Sequence, residues 1–361
     1  MVELPEHLAG LLSSLRKARW IAMDTEADSI HCYPEKLCLI QLSYPGGDAL
    51  VDPLADLELD ALLRVLARRQ LILHGADYDL RLLRRTFGFI PGQVFDTMLA
   101  ARFLGLREFG LTDLVARFLG VRLVKGPQKA NWARRPLTPA MLEYALNDAR
   151  YLHPLAELLR EKLTALGRLE WHREACDRLI RECAQPRFRD PDLVWRLPGS
   201  DRLTPAALAI LRALWQWREE EAVLRNKPPF FVLSHDVLVA LASRAAEGAP
   251  LPPCLPRGWP DHRREALLKV VTNAQAQTPS HYPRTLQCRP RRFTDAENQR
   301  LNELKRRRDQ AAHQLGLEPS FIASRSLLVA LVRDQNHDAL MHWQKALLLH
   351  DAVNTATCRA N

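Results

Sequence analysis

The stretch that most constrains this chain is Trp20-Ile-Ala-Met-Asp-Thr-Glu26. Its apolar part, Trp20 to Met23, is brief and follows a charged, helical-looking segment, so it reads as a short buried strand. Two carboxylates follow at i and i+2. Strand side chains alternate between faces, so Asp24 and Glu26 project to the same side. Like charges held that close at the edge of a core repel. One must protonate, or a cation must sit between them. Oxygen-only ligands suit magnesium or manganese rather than zinc. An Asp-x-Glu at a strand end is also an ordinary solvated motif, so the reading turns on whether more carboxylates arrive.

Taken in order, residues 5–18 read as an amphipathic helix leading into that strand. Residues 37–43 form a second strand, 45–48 a turn and 49–51 a third strand. Leu57 to Arg69 has helical spacing, 71–74 is another short buried strand, and Asp77 to Phe87 is a helix. From there to about Leu166 the pattern is helical, with loops near 88–92, 107–110 and 125–135. Strands first, then helix–strand–helix, imply a mixed α/β sheet domain with flanking helices.

More carboxylates do arrive. His74-Gly-Ala-Asp-Tyr-Asp79 lies where a strand hands over to a helix, the place where α/β sites assemble. Asp77 suits helix-terminus chemistry, whereas Asp79 is open to either a site role or a capping role. Thr138-Pro-Ala-Met-Leu-Glu-Tyr-Ala-Leu-Asn-Asp148 begins with a good N-cap and a proline at the first helical position. Tyr144 and Asp148, four apart, share one helix face.

Asp24, Glu26, Asp79 and Asp148 with Tyr144, in this order, resemble the DEDD family of 3′→5′ exonucleases, in the branch whose third motif is Tyr-x-x-x-Asp. Residues 74–79, Phe95-Asp-Thr-Met-Leu-Ala-Ala101 and Trp132-Ala-Arg-Arg-Pro-Leu137 narrow the likeness to ribonucleases D. It covers roughly residues 15 to 165 and implies a ribonuclease H-like exonuclease fold. It implies two divalent ions, magnesium or manganese, caged by the four carboxylates. Asp24 would bridge both ions, Glu26 and Asp148 would complete the first site, and Asp79 would serve the second. Tyr144 would orient the attacking water, since a phenol of pKa near 10 is a poor base at neutral pH. On the substrate side it points to Thr25 and His74, and the loop before Tyr144 offers Lys129, Trp132 and Arg135. Lys129 and Arg135 can hold phosphates. Trp132 can equally stack a base or pack on the sheet.

The chain has 361 residues, too many for one ordinary domain. A shift of 90 residues lays Thr204–Leu241 on Thr294–Leu331 with thirteen identities, among them Thr204/Thr294, Arg218/Arg308, Phe231/Phe321 and Ser234/Ser324. These are caps and core-type residues at helical spacing, so each copy is a small helical bundle. Both resemble the HRDC module, the second less typically. The layout expected is an exonuclease domain (1–185), a linker (186–198), a first HRDC domain (199–277), a basic linker (278–292) and a second HRDC-like domain (293–361). Lys305-Arg-Arg-Arg308 and the basic linker favour nucleic acid over a merely solvated face, whereas a net charge of +9 suits a polyanion partner and simple solubility equally.

The resemblance implies an exoribonuclease that releases nucleoside 5′-monophosphates from RNA with a free 3′ end, tRNA precursors being the expected substrates. Action on single-stranded DNA and a catalytically relict RNA-binding protein are the alternatives. Seven scattered cysteines without a Cys-x-x-Cys pair suggest reduced thiols and a cytoplasmic setting. No signal-peptide pattern or membrane-length apolar run is present, no nucleotide cofactor is expected, and a monomer is favoured.

Overall fold

Residues Trp20–Ala27 form β1, the middle strand of a five-stranded mixed sheet. β2 (Leu37–Tyr44) runs antiparallel to β1, and β3 (Gly47–Val51) antiparallel to β2. β4 (Gln70–Leu73) runs parallel to β1, and β5 (Gln93–Asp96) parallel to β4. The order is β3-β2-β1-β4-β5. The computed structural model describes residues 1–361 except 125, 187–189, 252–254, 257, 287–290, 335–336 and 350–361.

The strand outlasts its apolar run. Asp24, Thr25 and Glu26 all lie within β1, and the register breaks only after Glu26. One face of the sheet carries Ile21 and Met23 against α1 (Pro5–Leu15), α2 (Asp60–Ala67), α3 (Asp77–Phe87) and α8 (Leu169–Ala184). The other carries Ala22, Ile72 and Phe95 against α4 (Thr97–Phe103), α5 (Leu111–Leu119) and α7 (Leu152–Ala165). α6 (Pro139–Arg150) lies on this second side, over β1 and β2.

β5 is a correction to the helical reading of that region. Only four residues long, it passes into α4 without an intervening turn residue, so the helical periodicity of 97–103 masks it. Its last residue explains the abrupt change. Asp96 caps α4, accepting from the Met98 and Leu99 amides at 2.8 and 3.1 Å.

The C-terminal half is helical. α9 (Pro205–Leu224), α10 (Pro229–Val232), α11 (His235–Ala246) and α12 (Asp261–Gln275) make the first bundle. α13 (Asp295–Leu315), α14 (Pro319–Ile322), α15 (Arg325–Arg333) and α16 (His342–Leu348) make the second. The 90-residue repeat holds at the level of single bonds. Thr204 and Thr294 cap α9 and α13, and Ser234 and Ser324 cap α11 and α15. Arg218 donates to the Leu233 carbonyl at 3.4 Å, and Arg308 to the Ala323 carbonyl at 3.3 Å.

One expected boundary shifts. Trp195 and Leu197, placed in the 186–198 linker, are buried in the first bundle's core, so that bundle starts earlier. Arg187–Arg189, Arg289 and the chain beyond Leu349 lie outside the described residues.

The bundles meet the sheet domain differently. The second shares its core: Phe103 lies 4.8 Å from Phe321 and 5.3 Å from Trp343, and Trp171 stacks on Trp343. Arg168 donates to the carbonyls of Phe103 and Leu315, both at 2.7 Å. The first bundle touches the loop after β1, where Tyr33 Oη donates to Glu219 at 2.5 Å and the Tyr33 amide to Asn226 Oδ1 at 3.2 Å.

Candidate active site

Register builds the site. Asp24 pairs with Gln41 and Glu26 with Leu39 across β1 and β2, so both carboxylates stand on the face that α6 covers. Thr138 starts α6 by accepting from the Met141 amide at 3.3 Å, with Pro139 next. Met141 and Ala145 anchor the helix against Leu39 and Trp132, which sets Tyr144 and Asp148 over the strand. Oxygens of Asp24, Glu26 and Asp148 then lie within 4.8 Å of one another.

Asp79 comes from the other side. It sits in the first turn of α3, turned inward, and accepts a short hydrogen bond from the Thr25 hydroxyl. It stands outside the close trio but near enough to act electrostatically on Asp24 and Glu26. Asp77 turns outward and pairs with Arg81 at 2.9 Å, and Ala76 rather than Asp77 holds the cap position. Asp96 positions this turn: its carboxylate accepts from the Gly75 and Ala76 amides at 3.1 and 2.8 Å as well as capping α4. Sequence reasoning gave Asp96 no role, although an Asp directly before a helix is a capping signal.

The carboxylates resist ionising together. Burial, then the charges of Asp79, Asp148 and Glu26, holds Asp24 well above the ordinary carboxylate range. Glu26 is pushed up to about 8 by burial and by Asp148 and Asp79. Burial takes Asp79 to about 7 against the pull of the Thr25 hydroxyl, and Asp148 to about 6 against the bond from Tyr144. The same burial, with Asp148 beside it, raises Tyr144 above its usual value. Tyr144 therefore keeps its proton at neutral pH.

A crowded all-oxygen set of this kind fits hard divalent cations, whose charge would offset its own. Gln41 agrees. It is fully buried opposite Asp24, and neither its side-chain oxygen nor its nitrogen has a protein partner, so the polar site is larger than the carboxylates alone. The sequence signal for Gln41 was a single polar residue inside an apolar strand.

The chain is similar to known proteins. A 3′-5′ exonuclease family model matches residues 1–164, and an HRDC domain model matches residues 207–247. A ribonuclease D of Xanthomonas oryzae pv. oryzae is 30% identical over 362 residues, covering 95% of this chain and 94% of the relative. One from Zymomonas mobilis is 33% identical, covering 76% and 73%. The chain belongs to the ribonuclease D family.

Solved structures place this ribonuclease D family member in the same fold. Escherichia coli RNase D, described as an exoribonuclease involved in structured RNA processing, superposes with a TM-score of 0.75 at 25% identity over 96% of each chain. The catalytic core of RRP6 from Trypanosoma brucei superposes with a TM-score of 0.64 at 26% identity, covering 77% of this chain and 80% of that one. The enzyme is a 3′→5′ exoribonuclease with an α/β exonuclease domain followed by HRDC-type bundles.

The substrate-side residues of this ribonuclease D family member divide. Lys129 is exposed on the loop beside Tyr144, and its carbonyl accepts from His31 Nε2 at 3.0 Å. His74 Nδ1 donates to Thr97 Oγ1 at 2.9 Å, because that hydroxyl already donates to the Leu73 carbonyl, and burial keeps the ring neutral. Thr25 is buried with its hydroxyl committed to Asp79. Trp132 is only 1% exposed and packs beneath Tyr144 at 6.1 Å, so of its two readings packing on the sheet holds. Arg135 is likewise structural. It grips Asp52 through Nε and Nη2 at 2.5 and 2.6 Å and donates to the carbonyls of Trp132 and Cys38.

The basic run on α13 is largely neutralised. Arg306 and Arg307 both pair with Glu303, and Arg308 pairs with Asp309.

Proposed function

We propose that Asp24, Glu26, Asp79 and Asp148 hold two divalent cations, magnesium or manganese. With them the enzyme releases nucleoside 5′-monophosphates from the 3′ ends of structured RNA such as tRNA precursors. One observation carries the reading: oxygens of three carboxylates from two elements lie within 4.8 Å of one another, with Tyr144 one helical turn before Asp148. Asp24 feels the charges of Asp79, Asp148 and Glu26 together, so it is the carboxylate that both ions would share. Divalent cations in such a nest supply Lewis-acid stabilisation of the charge that develops as a phosphodiester is cut.

The chain's own groups do the rest. Partial burial lowers the local dielectric and strengthens the charge interactions in the nest. Tyr144, on the same helix face as Asp148, orients the attacking water through a retained proton. Lys129, exposed beside it, meets the RNA backbone. The exonuclease portion, through about residue 185, carries the chemistry, and the first bundle extends the contact with RNA. The described cysteines Cys32, Cys38, Cys176 and Cys183 are all free thiols, which supports a cytoplasmic setting. Among the described residues no helix is long and apolar enough to cross a membrane.

The test is release of mononucleotides from a 3′-labelled tRNA precursor, with matched unstructured RNA and DNA oligomers alongside. Asp24→Ala should abolish divalent-dependent release, and normal release by that variant overturns the assignment. Equal rates on DNA and RNA overturn the RNA preference.

A further inference from the structure

The two helical bundles are copies, and one of them shows what a shared surface is for. Phe321 of the second bundle packs on Phe103, with the Arg102 guanidinium 4.3 Å from its ring. Its counterpart by the 90-residue shift is Phe231 of the first bundle. Phe231 is 63% exposed and its neighbour Phe230 52%, their rings 4.5 Å apart. Val223 and Leu224, at the end of α9, are exposed as well. The same face that docks in one copy stands open in the other. Scattered exposed apolar residues are ordinary, but two adjacent rings beside two aliphatic side chains form a patch that marks an interaction site.

Position and charge indicate what the patch meets. The turn between α9 and α10 is plugged into the catalytic domain: Asn226, in the left-handed conformation, bonds the Tyr33 amide, and Tyr33 bonds Glu219. His31 of that same loop bonds the Lys129 carbonyl, and Gly126 of the Lys129 loop lies against the Tyr144 ring. Two short loops thus connect the aromatic pair to the active-site phenol. Two of the acids nearby are already engaged, Glu219 by Arg218 and Tyr33, and Glu221 by Arg225 and Arg263, while Glu220 accepts from Gln216 at 3.4 Å. Lys227 is exposed in the turn and makes no ion pair among the described residues. Exposed π-faces with a cation in the same turn take unstacked bases in any sequence.

We propose that Phe230 and Phe231 form a stacking platform for unpaired bases of the RNA strand upstream of the terminal nucleotide, with Lys227 on its phosphates. The proposal rests on the exoribonuclease reading above and adds a path by which a single strand is led to the carboxylates. It also explains the difference between the copies, since the second bundle has spent its platform on docking.

The test is RNA affinity, measured on an Asp24→Asn background in magnesium so that no substrate is consumed. Fluorescence anisotropy with a twelve-nucleotide single-stranded RNA should show Phe230→Ala/Phe231→Ala binding about tenfold or more weaker. Affinity for a dinucleotide, too short to leave the carboxylates, should not change. Phe231→Trp should keep the long-RNA affinity and Phe231→Leu lose it, since leucine keeps apolar area without a π-face. Equal affinity of the double variant and its parent overturns the proposal, and so does rescue by leucine. Self-association of the parent chain that the double variant loses also overturns it, by assigning the face to a second copy. A parent enzyme with intact Asp24 that binds RNA yet releases no nucleotide in magnesium or manganese defeats the nuclease reading instead and leaves the binding result readable.

Discussion

Gly126 lies against the ring of Tyr144 so closely that a Cβ on Gly126 would fall 1.7 Å from Tyr144 Cδ2 and 2.3 Å from Cγ. No side chain fits there without moving the phenol or the loop. Gly126→Ala should therefore lower kcat on the order of a hundredfold, the usual penalty for displacing a positioned group by about an ångström. Tyr144→Phe should do the same, and the double variant should be no worse than either single one, because both remove one function. Single-turnover release from a 3′-labelled RNA measures this. Additive losses would show that Gly126 acts elsewhere.

The carboxylate nest predicts an unusual stability profile. Glu26, Asp79 and Asp148 stand at about 8, 7 and 6 in the folded protein, against 4.5, 3.8 and 3.8 ordinarily. Folded pKa values above unfolded ones mean that the folded state binds more protons. The stabilisation is complete below about pH 4 and is lost as pH rises through 6 to 8. Without metal, Tm should fall across that window. Magnesium requires the deprotonated nest, so the gap between magnesium and EDTA melting curves should widen from pH 5 to pH 8.5. A gap independent of pH would show that the cations bind elsewhere.

Most of this site was legible in the sequence because each element signals locally. A strand that ends in acids, a capped helix with Tyr and Asp four apart, and an Asp after a strand are all short-range patterns. What was not legible came from long-range packing. Trp132 and Arg135 sit on a loop before the site, and nothing local shows that one fills the core under Tyr144 while the other grips Asp52, 83 residues away. The basic run of α13 looked free because Glu303, its neutraliser, counts as one acid among four cations, although i+3 and i+4 spacing lets it serve two of them. Asp96 was hidden for a different reason: its partners are backbone amides, which any sequence would supply.

Arg135 tests that lesson. Its bidentate grip on Asp52, whose side chain is 5% exposed, makes it a stability residue. Arg135→Ala leaves a buried charge unpaired and should cost about 3 kcal/mol. Arg135→Lys should recover little, because an ammonium cannot form the two-pronged contact or reach both carbonyls. Urea denaturation gives the stability change. RNA affinity of the folded fraction should stay at the parent level, and a loss there would return Arg135 to the substrate side.

Docking of the second bundle turns on one backbone contact. Gly105, at φ +78, lies so close to Gly316 that a Cβ would meet its carbonyl oxygen at 2.2 Å. Gly105→Ala is thus strained twice, by the left-handed backbone and by the collision, and should cost about 2–5 kcal/mol. The damage should reach the catalytic domain, because Phe103, Trp171, Phe321 and Trp343 form one shared core and Arg168 bonds carbonyls on both sides. The first bundle provides the contrast: Tyr33→Phe removes one hydrogen bond to Glu219 and should cost about 1 kcal/mol. Thermal melts followed by tryptophan fluorescence separate the two. A single cooperative transition shifted to lower temperature is expected for Gly105→Ala. A second bundle that melts on its own, ahead of an unshifted catalytic domain, would mean that the shared core does not couple them.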